Sequence, residues 1–340
     1  MTGLPVFTGG CTGALVGAGE SQDVPGPEVA LLLAASAVSA GDDDDDDDRR
    51  CAGATLTFSA VAAPNDAASW RSIDHGEDLF VAAAGSDVMT SSDGITWTAR
   101  TSAANNNWRG ITEENNRYVA VSTDGTNRVM YSSDTVTWTS ASAAEANQWV
   151  AITEENGLFV AVSADGTNRV MTSSDGITWT ARAAAEANTW ADVTHGANLF
   201  VAVSSDGTNR VMTSSDGITW TARAAAEANS WSSVTYGNGL FVAVSADGTN
   251  RVMTSSDGVT WTARSASEAN TWTDVTYSEG LFVAVSSDGT NRVMTSSDGV
   301  TWTATGAGAA NSWAAVTGED GRFVAVADGG TNRVMWAVCP

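Results

Sequence analysis

The sequence predicts an all-β chain, a seven-bladed β-propeller of four-stranded antiparallel blades, on three observations. Trp recurs at positions 70, 108, 149, 190, 231, 272 and 313, a repeat of 41 residues after a first interval of 38. A second Trp, always between two Thr, recurs at 97, 138, 179, 220, 261 and 302. Within each unit four short β-branched or apolar runs alternate with turn chemistry. Four strands in about forty residues, repeated seven times, are the arithmetic of a propeller.

The unit from Trp190 to Asn229 shows the elements in order: WADVT, HGAN, LFVAVS, SDGTN, RVMTS, SDG, ITWTAR and AAAEAN. The runs are too short and too rich in Thr and Val for helices. Asp-Gly between them supplies the positive φ that tight hairpins require. Phe80, Tyr118, Phe159, Phe200, Phe241, Phe282 and Phe323 form one register in the second strand. Met89, Met130, Met171, Met212, Met253, Met294 and Met335 form another in the third, and both rows are expected to pack blade against blade.

The last unit stops after three strands, at Cys339. The missing strand is upstream, where 54–60 reads ATLTFSA and Phe58 stands in for the absent seventh Trp. An N-terminal strand is therefore expected to pair with the C-terminal third strand, closing the ring and removing two exposed sheet edges. Cys51 and Cys339 then flank that pairing and are the disulfide candidates. Free thiols, or a Cys11 to Cys51 bridge, are the alternatives.

Residues 1–53 form a separate Gly- and Ala-rich segment, and residues 54–340 the propeller. Residues 29–40 are apolar like the core of a secretory signal, but no basic residue precedes Arg49. The segment is read as an anchoring element followed by an acidic linker, the seven Asp at 42–48. That run lacks the Gly-punctuated spacing of a calcium loop.

Net charge is -24, with 40 acidic residues against 16 basic ones, all Arg. Such a balance supplies no basic stripe for nucleic acid. No apolar run reaches the ~20 residues of a spanning helix. Three Cys with no ligand spacing exclude a Cys-based zinc site.

The third-to-fourth strand turn reads Ser-Ser-Asp-Gly-Ile-Thr-Trp at 91–97, 173–179 and 214–220, with Val for Ile at 255–261 and 296–302. It resembles the Asp-box, or BNR, repeat of sialidase-like propellers, shortened by one residue between Asp and Gly. Combined with the FVAV strands it is also similar to repeats of phage tail-associated proteins. The resemblance implies the propeller fold and a structural role for the Asp turns. A sialidase-type activity would further imply an Arg cluster, a Tyr nucleophile with a Glu partner, and an acid in one pocket.

The Arg residues instead follow the repeat, and the blades stay nearly identical, so no catalytic residue is assigned and no cofactor or metal is expected. One row varies, five residues after each first Trp: His75, Glu113, Glu154, His195, Tyr236, Tyr277 and Gly318. Spaced one per blade, these are wider apart than a metal shell and read as loop residues at the channel mouth. The candidate ligand-binding residues are Glu145 and Asn147, Glu186 and Asn188, Glu227 and Asn229, and Glu268 and Asn270. They recur in the loops entering blades 3 to 6 and carry donors and acceptors suited to sugar hydroxyls.

The expected function is a non-enzymatic, surface-displayed structural or binding module: a phage tail fibre, receptor-binding or decoration protein docking through residues 1–53 onto other virion or surface proteins. The setting is a virion or extracellular one, cell-surface glycans are candidate ligands, and a homo-oligomer is compatible with it. A secreted lectin-like propeller and a sialidase-type glycoside hydrolase are the alternatives.

Overall fold

Seven four-stranded antiparallel sheets make up the computed structural model of the protein, which describes residues 50–76 and 78–340. The anchoring and acidic segments expected before residue 50 lie outside the described residues. Six of the sheets are each one unit of the repeat beginning near its first Trp, and the seventh takes its outer strand from the N-terminal side of the ring. Blade 4, for example, runs Trp190–Gly196, Leu199–Ser204, Val211–Ser214 and Thr221–Arg223, paired in that order. First strands of neighbouring blades pack against one another all the way round, including Ser72–Gly76 against Ser312–Glu319, so they form the inner wall of a closed ring.

Period-two alternation builds the core. In Leu199–Ser204, Phe200 and Ala202 face one side and Val201 and Val203 the other. Phe200 and Ala202 join Trp190, Val193, Met212 and Trp220 against Val160, Val162 and Val170 of blade 3. Val201, Val203 and Val211 meet Trp231, Phe241 and Met253 of blade 5. Every blade thus presents an aromatic face to one neighbour and a valine face to the next. All seven first-strand Trp and all seven Met are buried to 1% exposure or less.

Ring closure follows the same rule. Ser59–Val61 pairs antiparallel with Val334–Val338, matching Ser59 to Trp336 and Val61 to Val334. The strand begins later than 54–60 because Phe58 acts as its counterparts do: Trp179 and Trp220 also stand one residue before their outer strands, as wedges into the core. Phe58 packs with Leu56, Trp313, Phe323 and Met335, as those Trp do in other blades. Cys51 and Cys339 form a disulfide across this closure, with Cα atoms 5.3 Å apart. Two backbone bonds hold the bridge in place, Cys51 N–H to the Glu279 carbonyl and Cys339 N–H to the Gly321 carbonyl.

The Ser-Ser-Asp-Gly turns are closed by their Asp. In blade 3, Asp175 Oδ1 accepts from Ser173 Oγ at 2.9 Å, Ile177 N–H at 2.8 Å and Thr178 N–H at 2.7 Å. These donors hold Asp175 down to about 2, and backbone donors act likewise on Asp134 and Asp257.

Candidate ligand-binding site

The Glu-Ala-Asn loops lie next to the Asp-Gly-Thr-Asn hairpins, and the two are locked together. Asn147 is 6% exposed; its Nδ2 donates to the Asn168 carbonyl at 2.6 Å, and Asn168 Nδ2 donates to Glu145 Oε1 at 2.6 Å. Asn188 with Glu186, Asn229 with Glu227, and Asn270 with Glu268 repeat the arrangement against Asn209, Asn250 and Asn291. The hairpin glycine is required for it: at Gly248, with φ +92°, a Cβ would stand 2.1 Å from Asn229 Oδ1. Hydrogen bonds to Asn hold Glu145, Glu227 and Glu268 below the usual carboxylate range.

The repeated Arg complete the lock between blades. Arg210 Nη1 donates to the Asn229 carbonyl of the next blade at 2.8 Å, and Arg251 to that of Asn270 at 2.6 Å. Arg333 closes the series by reaching the Ala68 carbonyl, from blade 7 back to blade 1, at 2.6 Å. The eight residues singled out in these loops therefore share one face of the ring, but each pair sits in its own blade and spends polar atoms on its own hairpin.

Inside that ring of loops a cavity of about 620 Å³ opens at the N-terminal ends of the innermost strands. A β-bulge follows the first Trp in six of the seven blades, as between Trp190 and Asp192. The two residues after the Trp both line the channel in every blade, including blade 1, whose ladder begins only at Ser72. The first of them reads Arg71, Arg109, Val150, Ala191, Ser232, Thr273 and Ala314 round the ring. The residue after the second strand also lines the channel in blades 3 to 6, Ala164, Ser205, Ala246 and Ser287, and in blade 7 Asp328 does so from within Arg322–Gly329.

The two Arg of the cavity lining, and the Asp paired with one of them, lie on three consecutive blades. Asp328 of blade 7 pairs with Arg71 of blade 1 at 2.7 Å, and Arg109 of blade 2 stands beside them. Apart from Asp192 and Asp274, the other four blades contribute small, apolar or hydroxyl side chains. Ser232 Oγ and Thr273 Oγ1 donate to backbone carbonyls, at 2.7 Å to Trp272 and 2.8 Å to Trp313.

Deeper in the channel, carboxylates cap the innermost strands of the next blade. Asp192 Oδ2 accepts the Val234 N–H at 2.9 Å, and Asp274 Oδ2 accepts the Val316 N–H at 2.8 Å. Ser233 Oγ links the two blades between them by donating to Asp274 Oδ1 at 2.6 Å. Burial pushes Asp192 and Asp74 up to about 7 and Asp274 to about 6, with the charge of Asp274 adding to the effect at Asp192.

The far end of the channel carries the varied row five residues after each Trp. His195 and Tyr236 lie directly across from Phe200 and Phe241, with ring centroids 4.6 Å apart in both cases. His195 Nδ1 also lies 3.0 Å from Glu155 of the preceding blade. Burial and a hydrogen bond with Glu114 push Glu154 up to about 7. Among the described residues no group of three or more His, Cys, Asp or Glu is placed to hold a metal ion.

The channel and turn acids act on stability in opposite directions. Asp74, Asp192, Asp274 and Glu154 bind protons more tightly when folded, so their contribution weakens as pH rises from about 4 through about 7. Asp93, Asp134, Asp175 and Asp257, held at about 2, stabilise the fold above about 4 and lose that contribution as pH falls towards 2. Thermal melts from pH 3 to 9 are expected to peak at about pH 4 to 5. A plateau extending unchanged to pH 8 would contradict the channel assignments.

Solved structures with the same architecture confirm the fold. A virginiamycin B lyase from Staphylococcus aureus superposes with TM-score 0.73 over 84% of this chain and 99% of that one, at 10% identity. YCF48 from Cyanidioschyzon merolae gives TM-score 0.62 at 15% identity over 83% and 98% of the two chains, and a YCF48 structure has been solved bound to D1 peptide. The WD40 propeller domain of Doa1 gives 0.61 at 11% identity over 84% and 96%. No family model matches the sequence, and no curated protein matches it. The class defined by the blades is thus the seven-bladed propeller, and identities this low carry the fold alone. Among the described residues no helix is long and apolar enough to cross a membrane.

Proposed function

We propose that this protein is a non-enzymatic binding module displayed on a virion or another extracellular surface, whose ligand seats over the channel mouth. The observation that carries the reading is the arc of Asp328, Arg71 and Arg109, on three adjacent blades of an otherwise repetitive ring, facing a cavity of ligand size. The repeated Glu and Asn are occupied in the loops, which favours this single asymmetric mouth over many equivalent sites. Hydroxyls donated to backbone carbonyls, and carboxylates capped by backbone N–H groups, support binding without turnover. The disulfide supports an oxidising setting, and the likeness to Asp-box and phage tail-associated repeats supports the virion. Residues 1–53 would supply attachment.

The test is a screen of glycan and peptide arrays with the full chain and with Ala191→Trp and Ala314→Trp, which place bulk in the mouth. Binding is expected to the full chain and to be lost on filling. Hits indifferent to both substitutions would move the site off the mouth, and a chemically altered ligand would overturn the non-enzymatic reading.

A further inference from the structure

Charges at the mouth do not balance locally. Asp328 neutralises Arg71, but Arg109 Nε is buried with no hydrogen-bond partner, and among the described residues no carboxylate lies within ion-pair distance of Arg109. Arg71 and Arg109 occupy the same position on adjacent blades, so their guanidinium groups sit on one stretch of wall. Burial, and then the charge of Arg71, depress the Arg109 pKa, and the charge of Asp328, which is already paired with Arg71, only partly offsets them. The side chain is half-buried, so only its Nε is shielded from solvent, and leaving that donor unpaired carries a cost in a chain of net charge -24 with abundant carboxylates.

We infer that Arg109, flanked by Arg71, is a subsite for the carboxylate group of the ligand, an inference that rests on the mouth being the binding face. On this stretch of wall two guanidinium groups and one carboxylate leave a single local positive charge, which suits a monoanion, while Asp192 and Asp274 elsewhere in the lining disfavour a more highly charged one. A planar carboxylate matches the donor fork of Arg. A phosphate dianion would overfill that charge and face Asp328. Glucuronate-type sugar acids and the C-terminus of a peptide both present the required group.

Trifluoroacetate, followed by fluorine NMR at low ionic strength, is the probe. The full chain should take it up saturably, and Arg109→Gln should weaken the uptake about tenfold or more, because charge-assisted hydrogen bonds are lost. Asp328→Asn, which releases Arg71 from its partner, should tighten it, so the proposal does not rest on one variant. Glucuronate competing where glucose fails would indicate a sugar acid. Acetyl-tetraalanine competing as the free acid and not as the amide would indicate a chain terminus.

Equal uptake by a folded Arg109→Gln variant, or equal broadening of neutral trifluoroethanol, would overturn the subsite. Array binding that is lost on filling the mouth but indifferent to Arg109→Gln would also overturn it, leaving the mouth reading intact. Trifluoroacetate uptake that follows Arg109, beside array binding that ignores the filling, would support the subsite and reject the mouth as the array site.

Discussion

Replacing Cys51 and Cys339 by Ala is expected to lower the unfolding free energy by about 2 to 5 kcal/mol. The bridge spans 288 positions of sequence, so in the unfolded chain it closes a loop containing the whole propeller. Loop-closure entropy puts the stabilisation near the upper end of that range. Without it the closing strand is held by a ladder of only three residues and the apolar contacts of Leu56 and Phe58, beside the contacts between blades 7 and 1 such as Arg333 to the Ala68 carbonyl. Denaturant titration of the oxidised, reduced and Ala-substituted chains measures the difference. Superimposable curves would show that the strand and its core alone set the closure.

Phe58→Ala is expected to cost about 3 to 5 kcal/mol, the range for removing a large aromatic from a packed core. Phe58 is 6% exposed and fills the space between blades 6 and 7 that a Trp fills elsewhere. Its loss leaves a cavity among Trp313, Phe323 and Met335 and loosens the strand that covers Val334–Val338. Because Phe58 and the disulfide restrain the same edge, their effects should not add: once the strand has detached, the second change removes little more. Equilibrium unfolding of the single and combined variants checks this. Full additivity would mean that the two act on separate structures.

These closing elements were legible in the sequence because the repeat has a fixed grammar, and a departure from it is visible as a gap. The missing seventh Thr-Trp-Thr pointed to Phe58, and Phe58 in turn placed Cys51 near Cys339. The core was legible for the same reason, since every Phe from Phe80 onward and every Met from Met89 onward falls in register. The exact start of the closing strand was not, because residues 54–58 read like strand while Phe58 turns inward before the ladder begins.

The candidate site was much less legible. Asn147 and Glu145 have the chemistry of a sugar site, but the Asn168 carbonyl and amide lie within hydrogen-bond distance and take up that capacity. Spacing along the chain says nothing of that cross-loop reach. Arg71, Arg109 and Asp328 were overlooked for the opposite reason. They look like scattered surface charges until ring closure makes blades 7, 1 and 2 neighbours. A signal was present, since the residue after each first Trp changes from blade to blade while the Trp is constant. The row that includes His75, His195 and Tyr236 varies just as much, and only the folded ring reveals which of the two rows lines the cavity.

The most direct test of the binding reading is a structure of the full chain with the strongest array ligand. Density in the mouth between Arg71 and Arg109, above Asp192 and Asp274, is the predicted result. Ligand seated on the outer strands, or at the opposite end of the channel beside His195 and Tyr236, would contradict it.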